Sequence, residues 1–290
     1  MRPAKPTSLD AFREILRRDG RYETPPEARA PLPARACLLN TLRYNSAVFG
    51  VFPRCAVAEA RGKLTTDRWA HICWSAVKKA EHLGGRCIFD GWENAAKAIA
   101  SGPVVYVANH MSTLETVILP PVLLTYGPFS VVVKASLMHL PFLSSAAVHM
   151  GLVPVTRTNP RADLATLLKH GAECLSRGCS MLVFPQGTRS ETFSYSGYSS
   201  IGAKIAEKCG VPLVPVAVKT DLEKKGTGLF KDFGKVDVSR EVRARCGPAI
   251  PAGRQSGGAR AAHSASFDWI AEQLSGWNLP VERQRETAGG

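Results

Sequence analysis

The sequence predicts an α/β fold, a mainly parallel sheet flanked by helices and preceded by an N-terminal amphipathic helical segment. Between residues 104 and 219, five short apolar, β-rich runs alternate with stretches of helical period. That alternation builds a parallel sheet covered on both faces. Ahead of this region apolar residues recur at helical rather than strand spacing.

The first helix falls around residues 9–18, followed by a Pro-rich connector over 24–33. From 34 to 52, Leu38, Leu42, Val48, Phe49 and Phe52 recur at roughly helical spacing, with Arg35 and Arg43 among them. Next, Trp69, Ile72, Cys73, Ala76, Val77, Ala80 and Leu83 form one stripe, Arg68, Lys78 and Lys79 lie outside it, and Gly84-Gly85 ends the run. Two readings of these stripes stand open: packing against the main domain, or contact with a bilayer with basic side chains at headgroup level. Strands are expected at 104–108, 130–134, 152–156, 181–185 and 213–219, and helices at 113–124, 161–176 and 200–209. Sites in such sheets collect at the carboxyl ends of the strands. Toward the C-terminus, 253–266 reads as a linker, 267–277 as a short helix with Phe267, Ile270, Leu274 and Trp277 on one side, and the last ten residues as a polar tail. The organisation expected is therefore a helical segment over 1–85, with membrane contact as one of its two open readings, a catalytic domain over 86–250 and a C-terminal extension over 251–290.

A spanning helix needs about 20 mostly apolar residues. The longest apolar stretch, 117–133, is interrupted by Pro120, Pro121, Gly127 and Pro128, so it reads as a helix end, a turn and a strand. The formal charge of +13 favours anionic partners such as a phospholipid surface, nucleic acid or an acidic carrier protein. A zinc-finger signature and an aromatic RNA-binding motif are both missing, which argues against nucleic acid. The eight cysteines include no Cys-x-x-Cys pair, and His71 and Cys73 have no further partners at ligand spacing, so a metal site is not expected. Buried reduced thiols are expected instead, in keeping with the lack of a secretory signal.

Directly after the strand at 104–108 comes Asn109-His110-Met111-Ser112-Thr113-Leu114-Glu115. Imidazole changes charge near neutral pH and can accept a hydroxyl proton, and a carboxylate on its other nitrogen fixes the tautomer. Ser112-Thr113-Leu114-Glu115 is equally a capping box, with Glu115 reaching back to the cap. After the strand at 181–185 the chain reads Gln186-Gly187-Thr188-Arg189-Ser190, in which Arg189 offers a fork matched to phosphate. Gly151 to Arg157 delivers another arginine to a strand end, and Val211-Pro212-Leu213-Val214-Pro215-Val216 is a strand entry bracketed by prolines.

In that order these four blocks resemble the glycerophospholipid acyltransferase family, over about half of the chain from residue 86 to 220. Gly91-Trp92-Glu93-Asn94 resembles the family's lead-in, and Lys134-Ala135-Ser136-Leu137 with Leu140-Pro141-Phe142 its segment between the first blocks. The resemblance implies that His110 is the base activating an acceptor hydroxyl, with Glu115 as its acid partner. It similarly implies that Arg157, Gln186, Gly187, Thr188, Arg189 and Lys134 engage substrate, the arginines taking the acceptor's phosphate. No metal or bound organic cofactor is implied, the donor being an acyl-CoA or acyl carrier protein thioester and the acceptor a lysophospholipid such as 1-acyl-sn-glycerol-3-phosphate. A peripheral place on the cytoplasmic face of an anionic membrane follows from the same likeness. Three positions depart from the family's usual pattern: Glu115 stands where Asp is usual, Gln186 where Glu is usual, and Ser200 and Ile201 where basic residues precede the glycine matched by Gly202. They leave open another lysolipid or an amino-acid-containing lipid as acceptor. A basic membrane-binding protein without enzymatic activity is the alternative of a different class.

Overall fold

The computed structural model describes residues 7–28, 37–139, 151–156, 158–223 and 234–283. In chain order the helices and strands are α1 (Leu9–Asp19), β1 (Tyr22–Glu23), α2 (Cys37–Phe49), α3 (Val51–Ala60), α4 (Thr66–His82), β2 (Cys87–Asp90) and α5 (Glu93–Ile99). They continue with β3 (Val105–Ala108), α6 (Glu115–Leu123), β4 (Phe129–Lys134), β5 (Leu152–Val155), α7 (Pro160–Ser176) and β6 (Ser180–Val183). The remainder is β7 (Phe193–Ser194), α8 (Ile201–Cys209), β8 (Leu213–Lys219), β9 (Val242–Cys246), α9 (Gly258–Gly276) and β10 (Val281–Glu282).

Eight strands form the main sheet in the order β1-β2-β9-β8-β3-β6-β4-β5. The run β8-β3-β6-β4-β5 is parallel throughout, β9 pairs antiparallel with β8, and β1 pairs antiparallel with β2. The five strands legible in the sequence are that contiguous parallel set. Three strands of the described sheet were not expected, β1, β2 and β9. β9 does alternate, with Val242, Ala244 and Cys246 buried and Arg243 and Arg245 turned outward, but its arginines lower the apolar content that marks a strand.

Successive strand side chains point to opposite faces, and the core divides accordingly. Tyr106 and Ala108 of β3 enter one cluster with α1, α2, α4 and α6, while Val105 and Val107 enter another with α7 and α8. The α4 stripe is buried from Trp69 to Leu83, so it packs on the domain and is not a bilayer face. Beside it, Phe12 of α1 stacks on Trp74 at 4.2 Å between centroids, edge-on to Tyr22 at 4.9 Å. Burying side chains of this size stabilises by ~1.5–3 kcal/mol each. α2 and α3 differ, since Leu39 and Leu42 on α2 and Val57 on α3 are 47%, 57% and 48% exposed.

Local signals set the helix ends. Ser8, Thr65 and Asn159 each accept a backbone N–H from the first turn of α1, α4 and α7, at 3.1 Å in every case. Pro160 stands at the start of α7, where a missing N–H costs nothing. One long helix over 34–52 is not formed: α2 stops at Phe49 and α3 begins at Val51, with Pro53 in its first turn. The run 117–123 stays helical through Pro120 and Pro121 and then turns into β4.

The expected linker over 253–266 is a correction. Residues Arg254–Ser256 form a 3-10 turn and α9 starts at Gly258. Gly258, Ala262 and Ser266 are buried there, small residues that let the helix approach the sheet closely, a signal hidden by a composition that reads as flexible. Cys55, Cys73, Cys87, Cys174, Cys179, Cys209 and Cys246 form no disulfide, and Cys55, Cys73, Cys87 and Cys246 are buried. No described helix is long and apolar enough to cross a membrane.

Candidate active site

β3 lies between β8 and β6, so the loops leaving the carboxyl ends of these three strands converge. β3 delivers Asn109 and His110, β6 delivers the turn from Phe184 to Ser190, and β8 delivers Thr220. Asn109 is 1% exposed and holds β8 with both ends of its amide: Nδ2 donates to the Val218 carbonyl at 2.7 Å, and Oδ1 accepts from the Val218 N–H at 2.7 Å. It thereby continues the β3–β8 pairing one step past Ala108↔Val216.

His110 follows, its side chain 17% exposed. Its Nδ1 lies 3.0 Å from Oε2 of Glu115, and its ring stacks on Phe184 at 4.4 Å between centroids. Glu115 is 0% exposed. Its Oε1 accepts from the backbone N–H groups of Met111 at 3.2 Å and Ser112 at 2.9 Å, and from the Thr220 hydroxyl. Oε2 accepts from Ser112 N–H at 3.0 Å besides facing His110. The two sequence readings of Glu115 thus coincide: one carboxylate caps the turn before α6 and faces the imidazole. The other half of the capping box is absent, because the Ser112 hydroxyl accepts from Leu114 rather than from Glu115.

The β6 turn closes over this pair. Gln186 Oε1 accepts the His110 N–H at 2.7 Å, and the Ser190 N–H donates to the His110 carbonyl at 2.9 Å. Gln186 therefore supports the His110 backbone, a contact that spacing could not reveal. Arg189 places Nη1 2.5 Å from the Thr113 hydroxyl, over the loop that joins His110 to α6. Gly187 and Thr188 form the outer part of the turn, with Thr188 exposed.

One expected residue stands apart. Lys134 is exposed at the carboxyl end of β4, separated from β3 by β6, which puts the two strands about 10 Å apart at ordinary spacing. Arg157 lies outside the described residues, as does the Leu140-Pro141-Phe142 segment. Gly91-Trp92-Glu93-Asn94 serves the scaffold: Trp92 Nε1 donates to the Ala244 carbonyl at 3.2 Å and Asn94 Nδ2 to the Cys246 carbonyl at 3.1 Å, fastening β9. Gly91 has φ +71°, and a Cβ there would sit 2.4 Å from the Cys246 carbonyl oxygen, so only glycine fits.

Beside the pair opens a cavity of about 320 Å³ bounded by Met111, Glu191, Thr220, Asp221, Arg240 and Leu279. A larger hollow of about 560 Å³, around Val211, Pro212 and Arg254, lies at the other end of β8 from Thr220, away from the pair. Among the described residues no group of three or more His, Cys, Asp or Glu side chains is placed to hold a metal ion. The arrangement can accept a proton at His110 and receive an anion near Arg189.

A family model described as Acyltransferase matches residues 87–219. The chain is 29% identical over 220 residues to the 1-acyl-sn-glycerol-3-phosphate acyltransferase of Pseudomonas aeruginosa, covering 74% of this chain and 79% of that one. It is 33% identical over 157 residues to a chloroplastic 1-acyl-sn-glycerol-3-phosphate acyltransferase of Arabidopsis thaliana, covering 54% of this chain and 40% of that one. The fold is similar to the crystal structure of the 1-acyl-sn-glycerophosphate acyltransferase of Thermotoga maritima, with TM-score 0.54 and 20% identity over 84% of this chain and 97% of that one. His110 and Glu115 fall inside residues 87–219, the part of the chain that matches the acyltransferase family model.

Proposed function

We propose that the protein transfers a fatty acyl chain from an acyl-CoA or acyl carrier protein thioester to the free hydroxyl of a 1-acyl-sn-glycerol-3-phosphate, with His110 as general base. The observation that carries this reading is the 3.0 Å approach of His110 Nδ1 to the buried Glu115 carboxylate at the end of the central strand. An ionised carboxylate only accepts hydrogen bonds, so Nδ1 donates and Nε2 keeps the lone pair. Nε2 takes the acceptor's hydroxyl proton as the oxygen attacks the thioester carbonyl. The C–S bond then breaks, and the departing thiolate takes the proton back from the imidazolium, leaving an ester, a free thiol and the enzyme unchanged. No acyl-enzyme is formed. Glu115 stabilises the imidazolium between the two transfers.

Arg189 is assigned to the acceptor's phosphate. Its position over Thr113, three residues beyond His110, supports binding the phosphate near the reacting hydroxyl. Arg157, which follows β5 in the sequence, is assigned the same role on the resemblance of its block to the family. The exposed Leu39, Leu42 and Val57, on helices that also carry exposed Arg43 and Arg54, support peripheral contact with the cytoplasmic face of an anionic membrane.

The test is incubation of the pure protein with labelled acyl-CoA or acyl carrier protein and a panel of lysolipids. Phosphatidic acid from 1-acyl-sn-glycerol-3-phosphate is the expected product. Efficient acylation of another lysolipid with none of this one would overturn the acceptor assignment.

A further inference from the structure

Glu115 is the buried anion of the site, and its surroundings are unequal. Among the described residues its hydrogen-bond partners are two backbone N–H groups, the imidazole of His110 and the side chain of Thr220. Thr220 is 0% exposed and follows the last residue of β8. Its hydroxyl donates to Oε1, the oxygen that does not face His110. We infer that Thr220 is a positioning residue for the transfer: it locks the carboxylate from behind, so that Oε2 stays aimed at Nδ1 of His110. This inference rests on the reading of His110 as the base.

The geometry that delivers Thr220 is built into the strand pairing. Asn109 ties both backbone groups of Val218 to the end of β3, and Thr220 lies two residues further on, directly after β8. The neighbours Asn109 and His110 therefore reach the same machinery by two routes: Asn109 sets the register that presents Thr220 to Glu115, and Glu115 in turn orients His110. A carboxylate held only by the Met111 and Ser112 amides can pivot about its Cγ–Cδ bond. The Thr220 hydroxyl removes that freedom, because it approaches Oε1 from another strand, 105 residues away in sequence. Thr220 also borders the 320 Å³ cavity, so the hydroxyl seals the carboxylate from that side.

The experiment compares Thr220→Val, which keeps the shape and loses the hydroxyl, with Thr220→Ser, which keeps the hydroxyl. Thr220→Ala is the second variant, should valine prevent folding. His110→Ala is assayed alongside. Loss of a hydrogen bond to a charged group predicts that kcat falls about ten- to a hundred-fold in Thr220→Val and Thr220→Ala, with both KM values nearly unchanged. Serine should restore kcat to within about threefold of wild type. A purely structural role would instead lower the melting temperature with no selective loss of kcat, or leave serine as damaged as valine. Wild-type kcat in folded Thr220→Val or Thr220→Ala protein overturns the inference. If His110→Ala retained activity, the reading of His110 as base would fail on its own, whatever the Thr220 variants did.

Discussion

Replacing Asn109 by alanine removes two hydrogen bonds at once and should loosen the centre of the sheet where the site is mounted. The side chain is 1% exposed, and the Val218 N–H and C=O that it holds, each at 2.7 Å, would be left buried without a partner. Each such loss costs ~1–3 kcal/mol, so the expected destabilisation from the two is roughly 2–6 kcal/mol. For a chain of this size that lowers Tm by roughly 5–10 °C. The sharper variant is Asn109→Asp, which is isosteric and keeps an acceptor for the Val218 N–H. It turns a second oxygen toward the Val218 carbonyl and adds a buried charge to a loop that already holds the Glu115 carboxylate, so it should be no more stable than the alanine variant. Scanning calorimetry on the three proteins measures the series, and kcat on the same samples reports whether slack in β8 reaches Glu115. A Tm for Asn109→Asp equal to wild type would show that the Nδ2 bond contributes nothing, and a shift below about 1 °C for alanine would refute the reasoning altogether.

Gly91→Ala should cost at least about 2 kcal/mol, from the left-handed backbone and the Cβ that would meet the Cys246 carbonyl oxygen at 2.4 Å, and thermal denaturation of the variant checks it. Arg189→Ala should raise the acceptor KM about tenfold or more while hardly touching the donor KM, with Arg157→Ala behaving alike. Steady-state kinetics with each substrate varied in turn would contradict this if only the donor KM moved. The protein should sediment with anionic vesicles and be released by high salt, and Leu39→Asp combined with Leu42→Asp should weaken sedimentation without lowering Tm, both side chains being about half exposed. Undiminished binding by that double variant would move the membrane contact elsewhere.

Much of the scaffold was legible because its signals are local. The five parallel strands announced themselves as β-branched runs, and α1, α4 and α7 carry their own caps at Ser8, Thr65 and Asn159. Where a signal needed a partner, the reading fell short. β9 has the right alternation, but its arginines acquire meaning only through β2 and β8 on either side and through pairs such as Arg245 with Asp90. α9 looked like a linker because Gly, Ala and Ser signal flexibility in isolation and close packing in company. The candidate site divides in the same way. His110 and Glu115 are five residues apart, within reach of pattern reasoning. Gln186 reaches His110 across 76 residues, and Asn109 reaches Val218 across 109. Thr220 looked like nothing more than a polar residue after an apolar strand, although a hydroxyl at the carboxyl end of the strand beside β3 was a signal available to be read.

The most direct test of the account is the turnover of Glu115→Gln, measured on folded protein beside His110→Ala and the double variant. The remaining amide oxygen of glutamine can go on accepting from the Met111 and Ser112 N–H groups and from Thr220, which preserves the cap and directs the NH2 toward His110. An NH2 donates, so it selects the tautomer with the proton on Nε2, leaving no lone pair for the acceptor hydroxyl. The account predicts that kcat falls by about three orders of magnitude or more, approaching His110→Ala, and that the double variant adds little further loss. Near-normal turnover by a well-folded Glu115→Gln protein would contradict it, reducing Glu115 to a helix cap and leaving His110 without the partner on which its role as base depends.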